Sequence, residues 1–412
     1  MSAAIDRQPQ TRWVDAIVLM VCQSSQALTI GGVALFLPLI RHQLHLTFAQ
    51  AGTLDAASTL MYALMQIPAG LIADRLGPRR LVVLGLFGID LLAFSFSLQH
   101  EYVGLVANQA LTGFFRALVF APGMILMGRL FAPARRATAM GLYVAGGVSS
   151  SVFLNLLGPI LVGPLGWRGN FALFSGLGLV ALAVFIRRGE PPSDQPVAQL
   201  RVPLKEARQL LRLRAMWLVA AIQYVRLAVV FGINVWLPTY VVVERHYSLA
   251  VAGALVALVA ALGATATIVG GFLTDRLGRP MLVIGASLGV CACDLILLAH
   301  SRSLATLVIA VAISGVFSQL YFGPLFAVPV QMFGLRNAGF ISGFGNGFAN
   351  LGAFTFIFLL GVIRDATGSF NAGFDAIAGA CMVGVLATAA LARERSRERR
   401  ASGGSVVGDA AG

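Results

Sequence analysis

Charge is what this chain has least of. Only 11% of its 412 residues are Asp, Glu, Lys or Arg, against 58% that are hydrophobic, and the mean hydropathy is +0.83. No water-soluble domain of this length carries so apolar a surface, so the chain reads as an integral, all-α membrane protein. Cysteine is nearly as scarce. Cys22, Cys291, Cys293 and Cys381 all fall inside apolar runs at no zinc-ligand spacing, which leaves neither a disulfide framework nor a metal site to expect. HExxH and a phosphate-cradling glycine loop are also missing, so a membrane-embedded enzyme is disfavoured and no cofactor is expected.

Apolar runs, by contrast, are plentiful. Crossing the hydrocarbon layer takes roughly 20 apolar residues in a helix. Breaking the chain at its charged and Pro/Gly-rich joints leaves twelve such stretches, near 13–40, 49–73, 80–99, 102–128, 137–164, 168–187, 215–241, 250–274, 280–299, 304–330, 337–363 and 373–392. The first is too long for a signal-peptide core and lacks a small-residue cleavage pattern, so it is expected to be retained. The net charge of +13 is spread in short clusters between spans, which argues against a nucleic-acid partner. With both termini in the cytoplasm, 23 of the 30 Lys and Arg lie on that side. Five lie outside: Arg41, Arg168, Arg245, Arg302 and Arg364. This asymmetry is the positive-inside pattern, and it implies a cell membrane, the inner one in a Gram-negative bacterium.

The layout that follows is a cytoplasmic tail (1–12), a six-helix bundle (13–187), a linker (188–214), a second six-helix bundle (215–392) and a second tail (393–412). The linker concentrates Pro and charge; from Val202 onward it reads equally as a surface helix or as a solvated loop. The two halves repeat. "GLIADRLGPRR" begins at Gly70 and "GFLTDRLGRP" at Gly271, so Gly70/Gly271, Asp74/Asp275, Arg75/Arg276, Leu76/Leu277 and Gly77/Gly278 pair at one offset of 201, which also carries Arg135 onto Arg336. Each copy closes the second span of its half. A duplicated six-span unit is the architecture of many secondary transporters, with substrate held near the midplane between the halves.

On these residues the chain resembles the major facilitator superfamily, from about residue 13 to 392. The resemblance implies the major facilitator fold, twelve transmembrane helices in two pseudo-symmetric bundles, and a monomer that alternates access between the two sides. It also implies that Gly70, Asp74, Arg75, Gly77, Asp275, Arg276 and Gly278 gate the cytoplasmic side rather than bind substrate. A carboxylate at a helix start fits that role, and Gly77 and Gly278 would supply turns at positive φ. Pro78 stands where the family signature usually has a basic residue.

Two positive charges belong to neither face. Arg116 lies 13 residues before Arg129, and Arg226 lies 12 after Arg214; at about 1.5 Å per residue both sit roughly 18–20 Å into the membrane. An arginine facing lipid at that depth costs between about 2.5 and 17 kcal/mol, so each must face a cavity or a partner. In the resembled superfamily, spans four and seven line the central cavity. One guanidinium from each half makes an anion clamp, well suited to a carboxylate because the planar fork donates two parallel hydrogen bonds. The structural alternative pairs them with Asp55, Asp90 or Asp294, or with carbonyls freed at Pro122 or Pro238. Gln23 and Gln26 on span one, Gln223, Tyr224 and Asn234 on span seven, Gln319 and Tyr321 on span ten, and Asn346 and Asn350 on span eleven could complete the site. Singly, each equally bridges packed helices.

Further stretches, among them "YALMQIPAGLIADRLG", "GWRGNFALFSGLGLV" and "GNGFANLGAF", resemble the anion:cation symporter branch, which handles organic and sugar acids. That branch usually carries a basic residue where Gln109 stands and a glutamate where Arg116 stands, so its proton coupling does not carry over residue by residue. A coupling proton would need a carboxylate within the spans, for which Asp55, Asp90 and Asp294 are the candidates, the last two more readily structural. Five histidines, His42, His45, His100, His246 and His300, sit near outer span ends, where they read as solvated groups or external pH sensors. The expected function is transport of a small organic anion using an ion gradient or exchange. The competing reading, a proton-driven exporter of hydrophobic compounds, rests on Gly158-Pro159 and Gly163-Pro164 in span five.

Overall fold

The computed structural model describes residues 9–131, 136–188, 204–334 and 337–404. In lipid every backbone N–H and C=O must be satisfied within its own segment, which leaves helices or closed barrels. Every regular element among the described residues is helical: α1 (Pro9–Gln43), α2 (Phe48–Leu76), α3 (Pro78–Leu98), α4 (Tyr102–Ala117), α5 (Phe120–Leu130), α6 (Arg136–Arg188), α7 (Leu204–Arg212), α8 (Arg214–Thr239), α9 (Leu249–Leu277), α10 (Pro280–His300), α11 (Leu304–Leu320), α12 (Phe322–Phe333), α13 (Ala338–Thr367) and α14 (Asn371–Gly404). Large apolar side chains such as Val103 and Ile268 are about three-quarters exposed, as a lipid-facing surface requires.

Twelve crossings emerge once three elements are reinterpreted. The 53 residues of α6 would run about 80 Å as one rod, far beyond the hydrocarbon layer; Gly166, at φ 64 and ψ 175, breaks it into spans five and six. Spans four and ten, expected as continuous helices, are each built in two pieces. The break falls at Leu118 and Val119 in one, where α4 gives way to α5, and at Tyr321 in the other, between α11 and α12. Pro122 and Pro324, two residues into α5 and α12, have no N–H to offer the carbonyls of Leu118 and Leu320. Those prolines are 202 positions apart, as are Gly113 and Gly315, so the duplication reaches into the breaks.

A second set of turns repeats as well. His45 and His246 both adopt positive φ, 52° and 57°, uncommon outside glycine. Each precedes a helix cap: Thr47 accepts the Gln50 N–H, and Ser248 the Val251 N–H. "HLTFAQAG" (45–52) and "HYSLAVAG" (246–253) thus form another copy pair at the offset of 201. On the opposite side Gly77 and Gly278 take φ 78° and 60°, as the loop motif predicted. Pro78 opens α3, where a missing N–H costs nothing. The linker, left between helix and loop by its sequence, forms the helix α7, anchored by Leu210 against Met216 and Ile341; Trp217 donates its indole N–H to the Leu211 carbonyl.

Contacts divide the chain into two compact units, one within Met1–Ala198 and Asn234–Ala260, the other within Gln199–Ile233 and Ala261–Gly412. In the first, α1, α3, α5 and α6 enclose Leu19, Val82, Ile89, Leu126 and Phe185. Helices approach where glycine removes the side chain: a Cβ on Gly113 of α4 would stand 2.1 Å from the Ser58 carbonyl of α2. In the second unit a Cβ on Gly270 of α9 would stand 1.7 Å from the carbonyl of Leu320 that Pro324 leaves free, and Gly352 of α13 lies as tightly on the Tyr224 carbonyl of α8. Small residues at such crossings are how membrane helices gain packing when water supplies no drive.

Candidate functional site

In the first unit, Arg116 closes the last turn of α4 just before the break, so its side chain leaves a helix end rather than a helix middle. Its guanidinium carbon stands 4.5 Å from the centre of the Tyr62 ring of α2, and the Asp55 carboxylate of the same helix lies within its electrostatic reach. Asp55 is buried, 6% exposed, and Arg116 is the cation that acts on it, with no ion pair between the two among the described residues. This bears on one of the alternatives foreseen, a pairing of Arg116 with Asp55. On α1, Gln23 accepts a hydrogen bond of 2.8 Å from the Tyr143 hydroxyl. Gly123 makes room for that hydroxyl. Gln26 is buried with its carbonyl oxygen unpartnered.

The second unit treats its arginine differently. Arg226, in the middle of α8, is 5% exposed. Its Nε donates to Gln223, one turn earlier, at 2.8 Å, which uses one of five donors. The guanidinium carbon lies 5.3 and 5.5 Å from the ring centres of Phe322 and Phe326, the first turn of α12. Tyr321, in the break itself, is fully buried, acts electrostatically on Arg226 and keeps its hydroxyl unpartnered. Among the described residues no carboxylate forms an ion pair with Arg226. A desolvated guanidinium without a counter-ion, fixed on one edge and flanked by aromatic faces, has its terminal nitrogens left for an incoming anion.

The remaining expected site residues divide. Gln223 and Tyr321 both act on Arg226. Tyr224 packs its ring edge-on to Phe356. Gln319 lies against Gly263 of α9. Asn350 donates to the Asn346 carbonyl within α13, a helix-internal bond rather than an open amide, and Asn234 is half-buried near the outer end of α8. Tyr62, Tyr143, Phe322 and Phe326 were missed. Their signal was present for the phenylalanines: Phe322 directly follows the break and Phe326 lies one turn later, where α12 restarts.

Of the residues expected to gate, Asp275 and Arg276 are exposed at the end of α9. Asp275 lines a cavity of about 450 Å³ with Thr274, Gln331 and Arg395, the last two joined by a 2.7 Å hydrogen bond. The side chains of Asp74 and Arg75, the surroundings of Gly70, and the pair Arg135 and Arg336 lie outside what is described. The letters Gly285-Ala-Ser-Leu-Gly289 match a nucleophile-elbow pattern, but they lie inside α10, with no strand-to-helix turn to expose the serine.

A family model described as Major Facilitator Superfamily matches residues 19–357. The chain belongs to that superfamily. It is therefore a multi-pass membrane transporter and not an enzyme. A nitrite extrusion protein of Bacillus subtilis is 22% identical over 340 residues, 81% of this chain and 83% of that one. A probable sulfoacetate transporter of Cupriavidus necator is 28% identical over 85% of this chain and 87% of its own. A probable galactarate/D-glucarate transporter of Bacillus subtilis is 22% identical over 89% and 88%. These relatives agree with the likeness to the anion:cation branch. Among solved structures, a bacterial homologue of the human lysosomal transporter Spinster, inward-facing and occupied, superposes with a TM-score of 0.82 at 16% identity, covering 94% of this chain and 98% of that one. This shows the fold.

Proposed function

We propose that this transporter carries small organic anions, most simply carboxylates, by alternating access, with Arg226 as their principal ligand and Arg116 as the second. The observation that carries the reading is the state of Arg226: buried, uncompensated by any carboxylate among the described residues, and hydrogen-bonded on one edge only. A charge kept in a membrane at that cost is supported by a function that uses it. An anion arriving at Arg226 meets a guanidinium already stripped of water and held in orientation, so little of the binding free energy goes into ordering it.

Arg116 has an acid, Asp55, within electrostatic reach instead. An anion that engages it competes with Asp55, which limits how tightly this half holds its cargo and helps release it. Gln23, Gln26 and Gln223 supply amide groups suited to hydroxyl or carboxylate oxygens, and the named cargoes of relatives, sulfoacetate and galactarate, are small oxyanions of that kind. We place both termini in the cytoplasm on the positive-inside pattern, with the protein acting as a monomer.

Gly158 packs against Leu35 and Phe36 while Pro159 lies beside Gly253, so that Gly-Pro pair serves as a helix contact and does not by itself call for the efflux reading. The test is uptake of labelled carboxylates into proteoliposomes, compared with amphipathic cations. Saturable carboxylate movement that depends on Arg226 is the expected result. Movement of the cations alone, indifferent to Arg226→Gln, would replace this reading with efflux.

A further inference from the structure

Two buried carboxylates take no part in the site just described. Asp90 on α3 and Asp294 on α10 stand 204 positions apart, on the third span of each half, 0% and 3% exposed. Neither forms an ion pair among the described residues. Both carboxylate oxygens of Asp90 lack a hydrogen-bond partner. Its carboxyl presses on Gly178 of α6, where a Cβ would overlap it at 2.2 Å, and Ser175 bonds its backbone carbonyl rather than its side chain. Asp294 accepts from the Ser314 hydroxyl with one oxygen and leaves the other unpartnered. An ionised carboxylate with no cation and so few donors is among the costliest groups a lipid-embedded bundle can hold. With its proton attached, the same group is neutral.

What surrounds each acid separates their roles. Around Asp294 the titratable neighbours are the Cys291 thiol on its own helix, Cys381 on α14, which acts on Cys291, and Tyr321 at the break beside α12, which acts on both thiols and on Arg226. No charged side chain from a packed element acts on Asp294 directly. Tyr321 thus lies within electrostatic reach of both Arg226 and Cys291, and its hydroxyl is unspent. Around Asp90 the corresponding neighbours are Cys22 on α1 and, acting on that thiol, Tyr143 on α6, but Tyr143 already donates to Gln23.

We propose that Asp90 and Asp294 are proton-binding sites, one in each half, that hold neutral carboxylic acids in the resting protein, and that Asp294 exchanges its proton in step with anion binding at Arg226. The first part stands on burial and missing partners alone; the second rests on the anion reading above. Arg226 and Asp294 belong to the same compact unit, and an anion seated on Arg226 cancels a positive charge there, so anion and proton favour each other's binding, as reciprocity between coupled sites requires. That is the sign of symport.

Infrared spectroscopy of the purified protein in heavy water at neutral pH, with ¹³C-labelled aspartate, reads the carbonyl stretch of a protonated carboxyl directly. Two such bands are expected, one lost in Asp90→Asn and the other in Asp294→Asn. Adding a carboxylate that binds the protein should shift the Asp294 band and leave the Asp90 band in place. Absence of a protonated aspartate band in the wild-type protein overturns the whole proposal, and needs no variant to fold. A band that ignores an anion which does stabilise the protein thermally overturns the coupling alone. If no anion stabilises the protein, the failure lies with the anion reading and the two resting bands still decide the proton sites. In proteoliposomes, Asp294→Asn should abolish uptake driven by a pH gradient while sparing anion counterflow; retained pH-driven uptake would contradict the exchange role.

Discussion

Arg116 and Arg226 stand at matching residue counts, 13 and 12, from Arg129 and Arg214 at one end of their spans, yet the protein supports them in opposite ways. Arg116 leaves a helix end beside a broken turn, over the Tyr62 ring and within reach of the Asp55 carboxylate. Arg226 is buried in mid-helix among Gln223, Phe322 and Phe326, with no acid bonded to it among the described residues. One half sets an acid within electrostatic reach of its arginine and the other surrounds its arginine with an amide and aromatic rings. Under the proposed function, the difference teaches that anion affinity need not be shared equally by the two halves.

The sharpest way to break that comparison is to remove each charge in turn. Arg226→Gln should abolish carboxylate transport at sub-saturating concentration, a loss of at least about 30-fold given the roughly 2–5 kcal/mol that truncating a buried charged partner costs. The same change should raise the thermal stability of the empty protein, because it removes a buried charge that nothing offsets. Arg116→Gln should do the reverse and destabilise the empty protein by about 1–3 kcal/mol, since Asp55 is left buried without its cation. Adding Asp55→Asn to Arg116→Gln should restore most of that loss, and a thermal double-mutant cycle measures the coupling. If both arginine variants shift stability in the same direction, the contrast between the halves is wrong.

A smaller effect tests the framework that aims the side chains. Gly113→Ala and Gly270→Ala each place a methyl within about 2 Å of a neighbouring carbonyl, so each should cost about 1–3 kcal/mol through forced helix displacement, read as a lowered melting temperature. Gly343→Ala, with open space at its Cβ, is the control and should change little. Smallest of all should be Glu394→Gln. The 3.6 Å pair it makes with Arg214 is largely exposed on the arginine side, and surface pairs contribute at most about 1 kcal/mol.

How much of this was legible beforehand differs by scale. Span number, the joint near Gly166 and the positive-φ turns at Gly77 and Gly278 could be read because lipid thickness and glycine's backbone freedom act locally. A break at Pro122 in span four was raised only as a source of free carbonyls for an arginine, and the break in span ten was not foreseen, although Pro324 marked it. A proline near a helix start and one inside a long helix look alike in a hydropathy pattern. The histidine turns at His45 and His246 escaped because their repeat is carried by Ala, Gly and a small hydroxyl residue rather than by charge. At the site, charge alone singled out Arg116, Arg226 and Asp55. The aromatic neighbours escaped because a phenylalanine in an apolar run carries no mark until the fold turns it toward a guanidinium.

The central claim, that Arg226 is an anion ligand, is tested most directly by thermal stabilisation of the purified protein against a panel of small carboxylates, with and without Arg226→Gln. A ligand present at 100 times its Kd should stabilise the native state by about 2.7 kcal/mol. The account predicts that at least one carboxylate raises the melting temperature of the wild-type protein and loses that effect in Arg226→Gln. Equal stabilisation of the two proteins by the same carboxylate would contradict it.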